Sequence, residues 1–204
     1  EVALELAAQG LAAAWPLGSS LRHFRAQWES HVRRESCPEG LCLDLPRHAA
    51  PCHSTCPANI DIPSFIAHLG HGDYRSTIEV IRRDNPLPLT CGLVCPAPCE
   101  SACVRGGSNG AVFIRPLKAK AAEHCLAEGG YPRPEIAPDT GKRIGIVGSG
   151  PSSLTAAYYL RTYGHQVEIF EAQEKAGGML RYGIPAYRLP PDLLDQELEQ
   201  IKVL

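Results

Sequence analysis

The sequence predicts a multi-domain chain: a helical, cysteine-rich domain followed by the first half of a parallel α/β domain. Three observations predict it. Six cysteines fall between residues 52 and 103, in four-residue steps interrupted by prolines. Residues 143–171, RIGIVGSGPSSLTAAYYLRTYGHQVEIFE, run in the order apolar strand, glycine turn, helix, apolar strand, acid. Between these two regions lies a Pro/Gly-rich segment, GYPRPEIAPDTG at 130–141, which reads as a linker.

The elements follow in order. Residues 1–35 are Ala/Leu-rich, with Leu21, Phe24, Trp28 and Val32 at helical spacing. Residues 36–50 read as an irregular connector carrying Cys37 and Cys42. Residues 51–129 hold the clustered cysteines among short helical patterns. Ser64 to Pro86 predicts two helices joined at Gly70 to Gly72, and Lys118 to Ala127 predicts another. From 142 to 204 the pattern gives a strand at Ile144–Val147, a helix from Pro151 to Tyr163 and a strand at Val167–Phe170. So short a βαβ stretch cannot cover both faces of a parallel sheet, which predicts loose packing there.

Composition narrows the function. The 204 residues carry a formal charge of −2, which points to neither nucleic acid nor an anionic membrane surface. There is no apolar run of membrane-spanning length. The opening EVALELAAQG has neither Met nor a basic-then-apolar signal layout, and DQELEQIKVL stops inside a helical pattern. Both ends therefore read as cut, which predicts a fragment. Nine cysteines, an odd number and tightly clustered, favour metal or iron–sulfur ligation in a reducing, cytoplasmic compartment over disulfides.

The order of residues 143–171 has a chemical rationale. Gly148 permits the tight turn, and Gly150 lets backbone approach a pyrophosphate. The helix N-terminus, with Pro151 at its first position and Ser152 next, aims free N–H groups and a positive dipole end at phosphate. Glu171 follows about 20 residues later, where an acid can bind a ribose diol. The third glycine position holds Ser153, which predicts less close helix–strand packing. The alternative is a glycine turn in an ordinary α/β domain.

The cysteines read Cys52-x3-Cys56-Pro, then Cys91-x3-Cys95-Pro-x-Pro-Cys99-x3-Cys103. One continuous helix would stack these thiols on a single face. Pro96 and Pro98 forbid it, so the backbone must wrap, and a wrapping backbone can converge thiolates on an iron–sulfur cluster. The prolines and Gly92 would also redirect N–H groups near the sulfurs and so tune a potential. The alternatives are structural zinc, which takes four ligands where six cysteines stand, and inert thiols.

The segments PCHSTCPANIDIPSFI, DNPLPLTCGLVCPAPCESAC and AVFIRPLK resemble the helical iron–sulfur domain of the glutamate synthase small subunit and of dihydropyrimidine dehydrogenase. GGMLRYGIPAYRLP at 177–190 resembles the FAD-binding start of the same family. The resemblance covers roughly residues 49–204. It implies a Rossmann-like FAD domain, and a flow of electrons from NAD(P)H through FAD and [4Fe-4S] clusters to a partner subunit. The family pattern has a Cys-x2-Cys pair ahead of Cys52, where Asp44 and Arg47 stand here. By the resemblance Cys52 and Cys103 would join that pair on one cluster, so this cluster requires Cys37 or Cys42 as a replacement. A second cluster would use Cys56, Cys95 and Cys99 with a Glu or Gln. That fourth place is Lys118 here, and an ammonium cannot ligate iron, which leaves Cys91 as the candidate replacement. One cluster is expected, with room for two.

A second resemblance lies in PLGSSLRHFRAQWESHV and CPEGLC, which look like the C-terminal end of the NADH- and FMN-binding subunit of complex I-type dehydrogenases and bifurcating hydrogenases. The final cysteine of the cluster in such subunits would fall near Ala7, so that cluster is expected to be absent. His31, Cys37 and Cys42 have the look of three zinc ligands; a linker with two free cysteines is the equal alternative. His48 and His53 read as polar loop residues.

At the flavin end, Gly177 and Gly178 can bring backbone near the cofactor, and the resemblance implies that Arg181 to Pro190 line the FAD site. Arg181 and Arg188 would fork onto phosphate or else stand as solvated surface charges. The redox chemistry would belong to the flavin, and no side chain is expected to act as acid or base. NAD(P)H would enter through a C-terminal region that this sequence lacks, and FAD affinity is expected to be weak. The leading expectation is an NAD(P)H-linked flavin iron–sulfur oxidoreductase module. Two alternatives are a non-catalytic electron relay or adaptor in a larger dehydrogenase or hydrogenase complex, and a structural zinc-binding interaction module.

Overall fold

The computed structural model describes residues 14–34 and 50–204, and the chain divides into two compact units at His48/Ala49. In the first unit α1 (Ala14–His23) and α2 (Arg25–Arg34) are separated by a bend at Phe24. The helical spacing of Leu21, Phe24 and Trp28 therefore does not form one straight stripe, and all three side chains are exposed. The Trp28 indole N–H donates to Ser20 Oγ across the bend at 2.9 Å.

The second unit opens with five helices: α3 (Pro51–Ser54), α4 (Ile62–Gly70), α5 (Tyr74–Asp84), α6 (Pro88–Val94) and α7 (Pro98–Ser101). A 3₁₀ turn (Val104–Gly107) leads to α8 (Ile114–Ala127). Their limits follow from local chemistry. Asp61 caps α4 by accepting the Ser64 N–H at 3.2 Å, and Asp73 caps α5 by accepting the Ser76 N–H at 3.0 Å. Proline stands in the first turn of α3, α4, α6 and α7, where its missing N–H costs little. The helices close over a core that includes Phe65, Ile78, Ile81 and Leu89, all fully buried.

The second half contains β1 (Arg143–Val147), α9 (Pro151–Thr162), β2 (Gln166–Phe170), the short α10 (Met179–Tyr182) and α11 (Pro191–Lys202). β1 and β2 pair in parallel, with Arg143 opposite Gln166 and Val147 opposite Phe170. Two strands cannot cover their own faces: Val147 is 89% exposed and Phe170 53% exposed. Burial is instead concentrated where Leu154 of α9 and Leu194, Leu198 and Ile201 of α11 meet Leu87, just ahead of α6.

The two halves are tied by buried polar groups. Glu197 on α11 is fully buried and accepts the N–H groups of Leu89 and Thr90, at the start of α6, at 2.6 and 2.8 Å. The Tyr131 hydroxyl donates to the same carboxylate at 3.0 Å. Burial pushes the Glu197 carboxyl above its ordinary range, and these donors oppose the shift. The Pro/Gly-rich segment is thus no free linker. Tyr131 N–H donates to Gln200, Arg82 donates to Pro132 O at 3.0 Å, and Ala137 N–H donates to Thr162 O. The Arg82 guanidinium also lies over the Tyr131 and Tyr158 rings, 5.1 and 4.8 Å from their centroids.

Candidate metal centre and dinucleotide turn

The wrapping expected at the prolines is present. α6 ends at Val94, Cys95 is extended, and Ala97 takes the left-handed conformation at φ +57° before α7 begins at Pro98. A non-glycine residue at positive φ is uncommon, and here it folds Cys95 and Cys99 back toward one space. That space is a small cavity lined by Cys56, Cys95, Cys99, Ile114, Arg115 and Lys118 among others. Cys91, one helical turn before Cys95, does not line it, but interacts electrostatically with Cys95 and with Lys118. Burial raises the Cys91 and Cys99 thiols above their ordinary range, and Lys118 opposes this at both.

Cys52 and Cys103 form a separate pair, close enough to influence each other electrostatically. Cys103 Sγ accepts the Val112 N–H at 3.5 Å, and such backbone donors hold its thiol below the ordinary range. Cys95 Sγ likewise accepts the Ala97 N–H at 3.3 Å. N–H donors aimed at sulfur are a means of stabilising thiolate ligands. Cys125 differs: it is buried, and its thiol donates to Tyr74 O at 3.5 Å. All seven described cysteines are free thiols.

Among the described residues no three His, Cys, Asp or Glu groups are gathered as tightly as a single metal ion requires. A four-iron cube takes its ligands at its corners, more widely spaced than the donors of one zinc. Three thiols lining one cavity with two cations are the donor type and charge balance that an anionic iron–sulfur cluster takes. Cys37 and Cys42 lie outside the described residues, and of His31 only the backbone, on α2, is described.

Gly92 has a role that its expected effect on N–H groups did not anticipate. A Cβ there would lie 2.7 Å from Ala119 Cα, so α6 and α8 approach as closely as they do only because residue 92 is glycine. That approach brings Cys91 of α6, and Cys95 just past its end, to Lys118 of α8.

The dinucleotide turn follows β1. Gly148 takes φ +86° and its N–H donates to Phe170 O at 2.7 Å. Gly150 caps α9, with Pro151 and Ser152 exposed in its first turn. A Cβ at Gly148 would meet Ser153 Oγ at 4.0 Å, an ordinary contact. Glu171 accepts the Ser149 N–H at 2.9 Å and the Ser149 hydroxyl with one oxygen, and the Gln173 N–H at 2.8 Å with the other. The Ser149 hydroxyl bond leads the effects that hold Glu171 below the usual carboxylate range. A carboxylate retains further lone pairs for a ribose diol.

Ser149, which the sequence pattern did not single out, joins the parts. Its buried hydroxyl also accepts the Gly177 N–H at 3.0 Å. This draws the Gly177–Gly178 loop onto the turn: at Gly178, φ +51°, a Cβ would lie 2.8 Å from Gly150 Cα. Gly177 and Gly178 therefore pack on the glycine turn itself. Arg181 is neither a free phosphate ligand nor a solvated charge. It is held by Asp195 and donates to Ala176 O at 2.7 Å. Arg188 is exposed, with no side-chain bond among the described residues.

Comparison with known proteins gives two family matches. Residues 35–129 match the family described as dihydropyrimidine dehydrogenase domain II, 4Fe-4S cluster, and residues 146–187 match the NAD(P)-binding Rossmann-like domain. The first match takes in Cys37 and Cys42, so zinc at those residues gains no support. Similar relatives include the NADPH-Fe(3+) oxidoreductase subunit beta of Geobacter sulfurreducens, 35% identical over 91% of this chain and 28% of the relative. The NADP(+)-dependent formate dehydrogenase subunit beta of Moorella thermoacetica is 40% identical over 76% of this chain and 25% of the relative. The glutamate synthase [NADPH] small chain of Mycobacterium tuberculosis is 38% identical over 74% of this chain and 31% of the relative. The chain thus spans less than a third of the length of each of these relatives. No helix among the described residues is long and apolar enough to cross a membrane.

Proposed function

We propose that this chain, whose residues 35–129 match the dihydropyrimidine dehydrogenase domain II 4Fe-4S family and whose residues 146–187 match the NAD(P)-binding Rossmann-like domain, is an FAD- and [4Fe-4S]-dependent module passing electrons between NAD(P)H and a partner redox subunit. The observation that carries this reading is the cavity at which Cys56, Cys95 and Cys99 meet two cations. The relatives' names support it from another side. They differ in what else is oxidised or reduced, ferric iron, formate or glutamate, while each names an NADP(H) couple. What they share with this chain is then the machinery of electron passage, not the recognition of the second substrate.

Cys56, Cys91, Cys95 and Cys99 would hold one cluster. Cys52 and Cys103 would contribute to another, with Cys37 and Cys42 as the further thiols available within the matched residues. When bound, flavin and clusters supply hydride acceptance and single-electron transfer. The chain's own residues bind and orient. The α9 N-terminus with Gly148, Gly150, Pro151 and Ser152 offers N–H groups to a pyrophosphate. Glu171 offers its free lone pairs to a ribose, and Gly177 and Gly178 close the turn from above. Arg188, whose side chain is exposed, is a candidate to pair with phosphate. The N–H groups of Ala97 and Val112 stabilise negative charge on Cys95 and Cys103.

Anoxic purification with iron, acid-labile sulfide and flavin analysis tests the proposal. Iron and sulfide together with flavin support it. Iron and sulfide without flavin would reduce it to an electron relay, and zinc alone would overturn it.

A further inference from the structure

Lys118 is only 7% exposed, on the face of α8 that also buries Ile114, Ala121, Ala122 and Cys125. Lys118 lines the thiol cavity with Cys56, Cys95 and Cys99, and its charge acts electrostatically on Cys91 and Cys99. Among the described residues no carboxylate stands within ion-pairing distance of it and it makes no hydrogen bond. The two nearby acids are engaged elsewhere: Glu197 accepts the N–H groups of Leu89 and Thr90, and Glu100 accepts the Arg115 N–H at 2.7 Å. Arg115, one turn earlier, donates to Cys95 O at 3.1 Å. A buried cation normally requires a compensating anion. Besides Arg115, the polar groups that share its cavity are the thiols of Cys56, Cys95 and Cys99.

We propose that Lys118 is the built-in counter-charge of the cluster held by Cys56, Cys91, Cys95 and Cys99, and that it sets that cluster's potential instead of supplying a ligand. The inference rests on the cluster assignment above. Reduction delivers one electron to the cluster, from dithionite in the test below, and adds one negative charge beside the ammonium. The ammonium therefore stabilises the reduced form more than the oxidised form and raises the potential. Net charge and hydrogen bonding around the sulfurs are general determinants of such potentials.

The test is an EPR-monitored dithionite titration of the anoxically loaded chain, with iron and sulfide content measured on each sample, for wild type, Lys118→Met and Lys118→Arg. Lys118→Met is expected to keep its iron and shift the cluster's redox equilibrium about tenfold toward the oxidised form, which is about 59 mV for a one-electron couple. Lys118→Arg, which keeps the charge, is expected to stay within about twofold of wild type, about 18 mV by the same constant. A loaded Lys118→Met with an unchanged equilibrium overturns the inference. If Lys118→Met holds no iron, Lys118→Arg decides: a loaded cluster near the wild-type equilibrium supports a charge requirement, and one displaced tenfold or not loaded overturns it. Wild type without iron and sulfide would instead refute the cluster assignment, so the two failures are distinguishable.

Discussion

The thiol-bearing helices and the two-stranded sheet are built on opposite terms. Around the thiols, Phe65, Ile78, Ile81 and Leu89 are wholly buried, helices approach to glycine distance, and a lysine is held inside. At the sheet, Val147 and Phe170 face solvent, and order comes from the glycine turn and from α11 rather than from layers on both faces. A redox centre depends on fixed distances and a fixed dielectric, so a closed core belongs there. A dinucleotide turn needs only local backbone geometry to present its N–H groups, so it forms even with the sheet half covered.

Substitutions can break or sharpen this contrast. The largest effect is expected where the halves meet. Glu197→Ala leaves the Leu89 and Thr90 N–H groups without their acceptor and should lower the unfolding free energy of the iron-loaded chain by about 3 kcal/mol, measured by denaturant titration. Gly92→Ala forces α6 from α8 and should cost about 1–3 kcal/mol, with faster iron loss to a chelator. An unchanged loss rate would mean that the helix approach does not secure the thiols. Ser149→Ala removes the link between Glu171 and Gly177. It should weaken flavin binding by about 1 kcal/mol, roughly fivefold, in a fluorescence titration, with iron content unaffected. Val147→Thr, on the open sheet face, should change stability by no more than about 0.5 kcal/mol; a large loss there would show that the face is covered in solution.

The sequence makes the local features plain and hides the distant ones. Strand, turn, helix, strand and acid announce the nucleotide turn because each is encoded within a few residues. The prolines at 96 and 98 likewise predict the wrap that Ala97 completes. Arg181 was open between phosphate and solvent because its partner, Asp195, comes from another helix. Glu197 and Lys118 were missed as buried charges because their surroundings are assembled from afar; Leu89 and Glu197 are 108 positions apart. A signal was present in both cases. Glu197 lies in the stripe Leu194, Leu198, Ile201, and Lys118 in the stripe Ile114, Ala121, Ala122, Cys125, each a charge at an apolar position of helical period. Gly92 carried no such mark, since a close helix crossing leaves no trace in one strand of sequence.

The central claim is that the thiols at the α6–α7 wrap hold an iron–sulfur cluster, while the buried Cys125 does not. Iron and acid-labile sulfide per chain, measured on anoxically prepared Cys99→Ser and Cys125→Ser, test it most directly. Cys99→Ser is expected to lose the iron and sulfide of one [4Fe-4S] cluster relative to wild type, and Cys125→Ser to retain them. Equal iron in the two variants, or loss only in Cys125→Ser, would contradict it.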